Sequence, residues 1–278
     1  MDIRPSPIAG TWYPNHPRTL SQTVDQFLAK AESSVSEGDP MAVLAPHAGL
    51  HYSGAVAGHA FNCLRRLCPE VIAIVGPMHH MHSAPLLTSG HEAFETPLGL
   101  VKVDKESVDR VHHALKESLG YGLTRIRDDP EHSVEIELPF LQRVCENFLL
   151  LPIMIVNQHQ AVAEALGKAL AEGLRGKSVA LVASSDLSHY YPQAVAQTLD
   201  AEVLRRIECF DPQGVLEAQD QGVGYACGRG AISAVLWAAR SLGANKVNIL
   251  RYATSGDVSG DYTSVVGYGA ASITQAAA

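Results

Sequence analysis

Three apolar runs in this sequence end in histidine, and no other feature constrains the fold as strongly. Val71–Val75 reads as a buried strand, because apolar and mostly β-branched residues in an unbroken run suit a sheet interior. Gly76-Pro77 stops it, and His79-His80 follow two residues later. Met41–Ala45 runs into Pro46-His47-Ala48-Gly49, and Ser178–Ala183 runs into Ser184-Ser185-Asp186-Leu187-Ser188-His189. In an open α/β sheet, ligands collect where loops leave the carboxyl ends of the strands. The three histidine-tipped strands therefore point to one chemically active sheet edge.

Between the first two of these strands, Val56, Phe61, Leu64 and Leu67 recur at helical spacing over residues 54–67. That is a βαβ unit with parallel strands, so the loops after Ala45 and Val75 leave the same edge and His47 should face His79. A first amphipathic helix is expected over Thr19–Ala31, ended by the polar stretch Ser33–Pro40. Further helices are expected over Lys105–Leu119, from Glu131 onward with Ser133 as cap and Pro139 resetting the first turns, and over Gln160–Leu174, Ala194–Ile207 and Ala231–Leu242. Asp211-Pro212 should cap and start a short helix. Residues 82–99 read as irregular or hairpin-like. Leu149–Val156, Asn245–Thr254 and Thr263–Ile273 read as strands, with 255–261 a flexible polar loop. The alternation predicts a single α/β domain over residues 1–278: three layers, α/β/α, around a mixed, largely parallel sheet.

Composition narrows the function classes. With 46% hydrophobic and 18% charged residues over 278 positions, the chain is globular rather than disordered. A net charge of −8 argues against nucleic acid as partner, since no basic face can release counterions. No run approaches the roughly 18 apolar residues of a membrane span, and the N-terminus lacks the layout of a signal peptide. Five cysteines without ladder spacing fit a reduced, cytoplasmic protein. The 13 histidines are the compositional excess.

Taken singly, His47 fits a hydrogen-bonded loop residue as well as a ligand. His79 and His80 point different ways after their strand, so one can ligate while the other orients a neighbour. Asp186 and His189 fit either an N-cap with a packing histidine or a carboxylate–imidazole pair. Cys227 lies in a glycine-rich loop at a helix start, two residues before Arg229. Helix amides and a nearby cation both lower a thiol pKa, which makes Cys227 a candidate ligand or reactive thiol. The aromatics of Ala9–Pro14 are expected to pack the N-terminal arm onto the body.

Ala9–Pro14, Pro46–Gly49, Gly76–His80, Glu131–Glu135, Ser184–His189 and Cys227–Arg229 occur together and in order. On these motifs the chain resembles the Memo family, whose prokaryotic members are also called AmmeMemoRadiSam system protein B. Through that family it is similar in fold to the class III extradiol dioxygenases, which are non-haem iron enzymes. The resemblance implies His47, His79 and Cys227 as metal ligands, His189 as the proton-moving base and Asp186 beside it. His80, Glu135 and Arg229 would surround them. A cysteine in place of the dioxygenase carboxylate is softer, so one ion of iron or copper is expected, with zinc the further option. The resemblance thus implies a metal-dependent, dioxygenase-like oxidoreductase acting on a small molecule, with a functional link to a radical SAM protein. It also leaves open a non-catalytic scaffold that binds a peptide or small anion in the same pocket.

Overall fold

The computed structural model describes residues 1–31, 38–65, 67 and 69–276. Most of the expected stop at Ser33–Pro40, and Cys68, lie outside the described residues. The strands are β1 (Ile3–Arg4), β2 (Asp39–Ala45), β3 (Val71–Pro77), β4 (Leu86–Ser89), β5 (Ala93–Thr96), β6 (Gly99–Lys102), β7 (Thr124–Ile126), β8 (Leu149–Ile155), β9 (Val179–Ser184), β10 (His189–Tyr191), β11 (Lys246–Thr254) and β12 (Val265–Gln275). The helices are α1 (Pro17–Lys30), α2 (Leu50–Asn62), α3 (Lys105–Leu119), α4 (Leu138–Val144), α5 (Gln160–Gly173), α6 (Gln193–Glu208), α7 (Pro212–Asp220), α8 (Arg229–Ser241) and α9 (Gly256–Ser259).

The large sheet has the order β10-β12-β2-β9-β3-β8-β4-β7, with β11 also paired to β12. At its centre β2, β9, β3 and β8 are mutually parallel. β12 and β4 run antiparallel on either side. This is the expected mixed, largely parallel sheet in a three-layer α/β/α arrangement. β3 is buried along its whole length, as an apolar run without alternation requires. The crossover β2–α2–β3 moves one way along the sheet and β8–α5–β9 moves back. Right-handed crossovers then place α2 and α5 on opposite faces. α1 and α4 join α2, while α3 and α8 join α5.

β9 lies between β2 and β3, so the three histidine-tipped strands are neighbours as expected; its register joins Ala45 to Ser184 on one side and Val75 to Ala183 on the other. Two local expectations are corrected. The segment from Glu131 is a loop with a 3-10 turn at Glu135–Glu137 before α4 begins. Ser133 does not cap it: its Oγ donates to the Pro77 carbonyl at 2.8 Å, while the Glu131 carboxylate takes the amides of His132 and Ser133. Pro139 falls in the first turn of α4, where its missing N–H costs no bond. Finally, 255–261 contains α9, whose Asp257 accepts from the Thr254 amide at 2.7 Å. Among the described residues no helix is long and apolar enough to cross a membrane.

Candidate metal centre

Because β2, β9 and β3 are adjacent and parallel, the residues just past their carboxyl ends meet. His47 follows β2 and is buried. Its Nδ1 lies 2.9 Å from Ser184 Oγ, which donates its own proton to the Ser133 carbonyl at 2.6 Å. A hydroxyl has one proton to give, so Ser184 accepts from His47 Nδ1–H and the His47 Nε2 lone pair is left free. His79 follows β3 and repeats the device. Its amide and its Nδ1 both donate to the Glu131 carboxylate, at 2.6 and 2.9 Å. A carboxylate behind an imidazole fixes the tautomer and raises the basicity of the other nitrogen. The two rings stand edge to face with centroids 5.1 Å apart.

Cys227, at the entrance to α8, completes the group. Its Sγ is 3.1 Å from His47 Nε2 and 3.3 Å from the Asp186 amide. One nitrogen of each histidine and the sulfur lie within 4.8 Å of one another. The expected lowering of the Cys227 pKa does not occur. Burial pushes the thiol up and the neighbouring Asp186 carboxyl adds to this, outweighing the Gly228 amide at the helix start. Arg229 is no help, because its guanidinium turns to Asp220 at 2.6 Å and to the Leu216 carbonyl. A cation at the three ligand atoms would have to displace the thiol proton.

Asp186, past β9, accepts the amides of His47 and Ala48 on Oδ1. Burial nonetheless raises its pKa from 3.8 to about 7. His189 donates Nδ1–H to the Leu187 carbonyl at 2.9 Å, so its Nε2 is also free, and burial lowers its pKa. Both line a cavity of about 800 Å³ together with His47, His79 and Cys227.

Three expected neighbours do not line the cavity. His80 is exposed and acts on His132 through its charge, while Arg229 is turned away. Glu135 is sealed under the N-terminal strand, where it binds Arg4, Ser6 and Tyr13. Arg4 also reaches Asp129 and the Glu131 carbonyl, so the N-terminus clamps the loop that carries Glu131. Tyr13 packs the arm as expected, but Trp12 goes further and lies over His132, with centroids 4.1 Å apart.

Glu131 and His132 fall in the Glu131–Glu135 motif but carry no site role in the sequence reading, because the three residues of β7 before them make no apolar run for the strand-end rule to act on. His132 stacks on His79 at 4.5 Å, and burial lowers its pKa to about 4. Glu131, His79 and His132 form a second group of metal-ligating types. Burial alone would raise the Glu131 carboxyl, yet the His79 side chain and amide hold it well below the usual range. With donors at both oxygens, Glu131 serves to orient His79.

A family profile described as Memo-like protein matches residues 4–272. The chain belongs to the Memo family. A MEMO1 family protein of Methanothermobacter thermautotrophicus is 34% identical over 278 residues, covering 96% of this chain and 98% of its own. One from Nitrosopumilus maritimus is 34% identical with the same coverage of both chains. Another, from Methanopyrus kandleri, is 35% identical over 95% of this chain and 96% of its own. The Memo resemblance seen in six short motifs therefore extends over nearly the whole length.

Proposed function

We propose that this Memo protein binds one metal ion through His47 Nε2, His79 Nε2 and Cys227 Sγ and uses it in redox chemistry on a small molecule. The observation that carries this reading is the convergence of one nitrogen of each histidine and the Cys227 sulfur within 4.8 Å at an open cavity. Two histidines held with Nδ1 protonated, and a cysteine, match the donor preferences of iron, copper and zinc. When bound, iron or copper would supply redox chemistry and an open coordination position, and zinc Lewis acidity alone.

The chain's own residues have separate tasks. Ser184 and Glu131 hold the two imidazoles in the ligating tautomer. His189 presents a free Nε2 to the cavity and accepts a proton from the bound substrate. Asp186, titrating near neutrality, holds or releases that proton. Trp12 and the tyrosines supply aromatic walls for a substrate ring.

The test is the metal content of protein purified without added ions, then oxygen uptake with a panel of phenols after anaerobic loading with iron(II) or copper(I). His189→Ala should keep its metal and lose about 10²–10⁴-fold in turnover. Loss of metal from that variant would make His189 a ligand and overturn the ligand set. Absence of oxygen uptake from fully loaded protein would favour the binding scaffold. A scaffold for anions finds little support in the walls, since no lysine or arginine lines the cavity.

A further inference from the structure

We propose that the cavity selects a ligand carrying both an aromatic ring and a protonated amine, and rejects the matching carboxylate or phosphate. This deepens the reading above and rests on it in treating the cavity as a small-molecule site.

The walls are aromatic: Trp12, Tyr52, Tyr190, Tyr191 and Tyr225 all line the space. Ring faces are electron-rich and attract cations, most strongly away from bulk water. The backbone makes an exception to achieve this. Tyr190 sits at φ +63, a left-handed conformation unusual for a residue with a side chain. β10 also shifts register against β12 between His189 and Tyr191. In a regular strand, neighbouring side chains alternate between faces. Here His189, Tyr190 and Tyr191 line one cavity.

The floor supplies an unused acceptor. Asp186 uses Oδ1 for the His47 and Ala48 amides, and among the described residues no donor reaches its other oxygen. Positive charge is missing. No lysine or arginine is among the lining residues. An anionic ligand would find no lysine or arginine in the lining to pair with, so its loss of hydration would go uncompensated. The net charge of −8 adds attraction for cations at long range.

Trp12 provides the readout. The chain has two tryptophans, and Trp237 packs against Gly167 of α5, so Trp237→Phe leaves Trp12 as the reporter. Tyramine, 4-ethylphenol and 4-hydroxyphenylacetate share a phenol ring and differ in charge. Each is titrated against metal-free and metal-loaded protein by fluorescence. Tyramine should bind at least about tenfold tighter than 4-hydroxyphenylacetate, with 4-ethylphenol between them. Asp186→Asn should narrow that ratio by about threefold or more. Equal affinities, a preference for the carboxylate, or no Trp12 response to about 10 mM tyramine would overturn the proposal. Elemental analysis reads the metal separately: an ion bound without charge selection sinks only this inference, and charge selection without an ion sinks only the metal reading.

Discussion

His47 and His79 each donate a hydrogen bond from Nδ1–H to a partner behind them, Ser184 in one case and Glu131 in the other. What each residue contributes to an ion is thereby decided by a neighbour that never touches it. Glu131→Gln should lower metal affinity about 10–100-fold while leaving the ligands in place. His79→Ala and Cys227→Ser should abolish tight binding, because three protein ligands cannot spare one. Cys145→Ser, at a buried position at the end of α4, should leave metal content unchanged by elemental analysis. Asp186 carries a different signature. Its carboxyl stays protonated in the folded chain up to about pH 7, whereas in the unfolded chain it ionises above about pH 4. The folded state then binds the extra proton, so stability falls as pH rises through this window, by up to about 1.4 kcal/mol per pH unit, and levels off above it. Urea melts of metal-free protein should show this slope relative to Asp186→Asn, which cannot titrate. Parallel pH profiles for the two proteins would refute the assignment.

At the scale of elements, the end of β3 and the loop carrying Glu131 are held in contact by a missing side chain. A Cβ on Gly76 would come within 2.5 Å of Ser133 Oγ and 2.8 Å of its Cβ. Gly76→Ala should therefore push the loop off the strand, at a cost of about 1–3 kcal/mol. That corresponds to roughly 2–5 °C in Tm by calorimetry for a chain of this size. Metal affinity should fall with it, since both ends of the His79–Glu131 pair move. The element scale is also where local reading worked unevenly. Long apolar or amphipathic segments such as β3, α3 and β12 were legible, because burial on one or two faces leaves a period in the residues themselves. The Glu131–Glu137 stretch was read as helix because the acids and Ser133 mimic a cap. Its side chains instead serve groups on β1, β3 and the His79 loop, and those partners are invisible to a local window.

For the whole molecule, an ion at the centre would join β2, β3 and the start of α8, three places far apart along the chain. Such a cross-link stabilises the folded state only. At an ion concentration about 100 times Kd the gain is about 2.7 kcal/mol, read as a rise of several degrees in Tm that Cys227→Ser should lack. Strand positions, helix faces and the residues that follow each strand were all determined locally, by runs and periods that burial imposes on sequence. That is why His47, His79, Asp186 and His189 were recognised as one edge's worth of chemistry. The insertion of β9 between β2 and β3, the turning away of Arg229, the sealing of Glu135 under Arg4 and the raised Cys227 pKa were decided by tertiary structure alone. Arg229 finds its partners only 9 and 13 positions away, but the others depend on which groups become neighbours across large separations, 131 positions for Arg4 and Glu135 and 180 for His47 and Cys227, as does the 52-position pairing of His79 with Glu131. Hydrogen bonding and desolvation act only between groups in contact, so their outcome is set when the chain closes on itself.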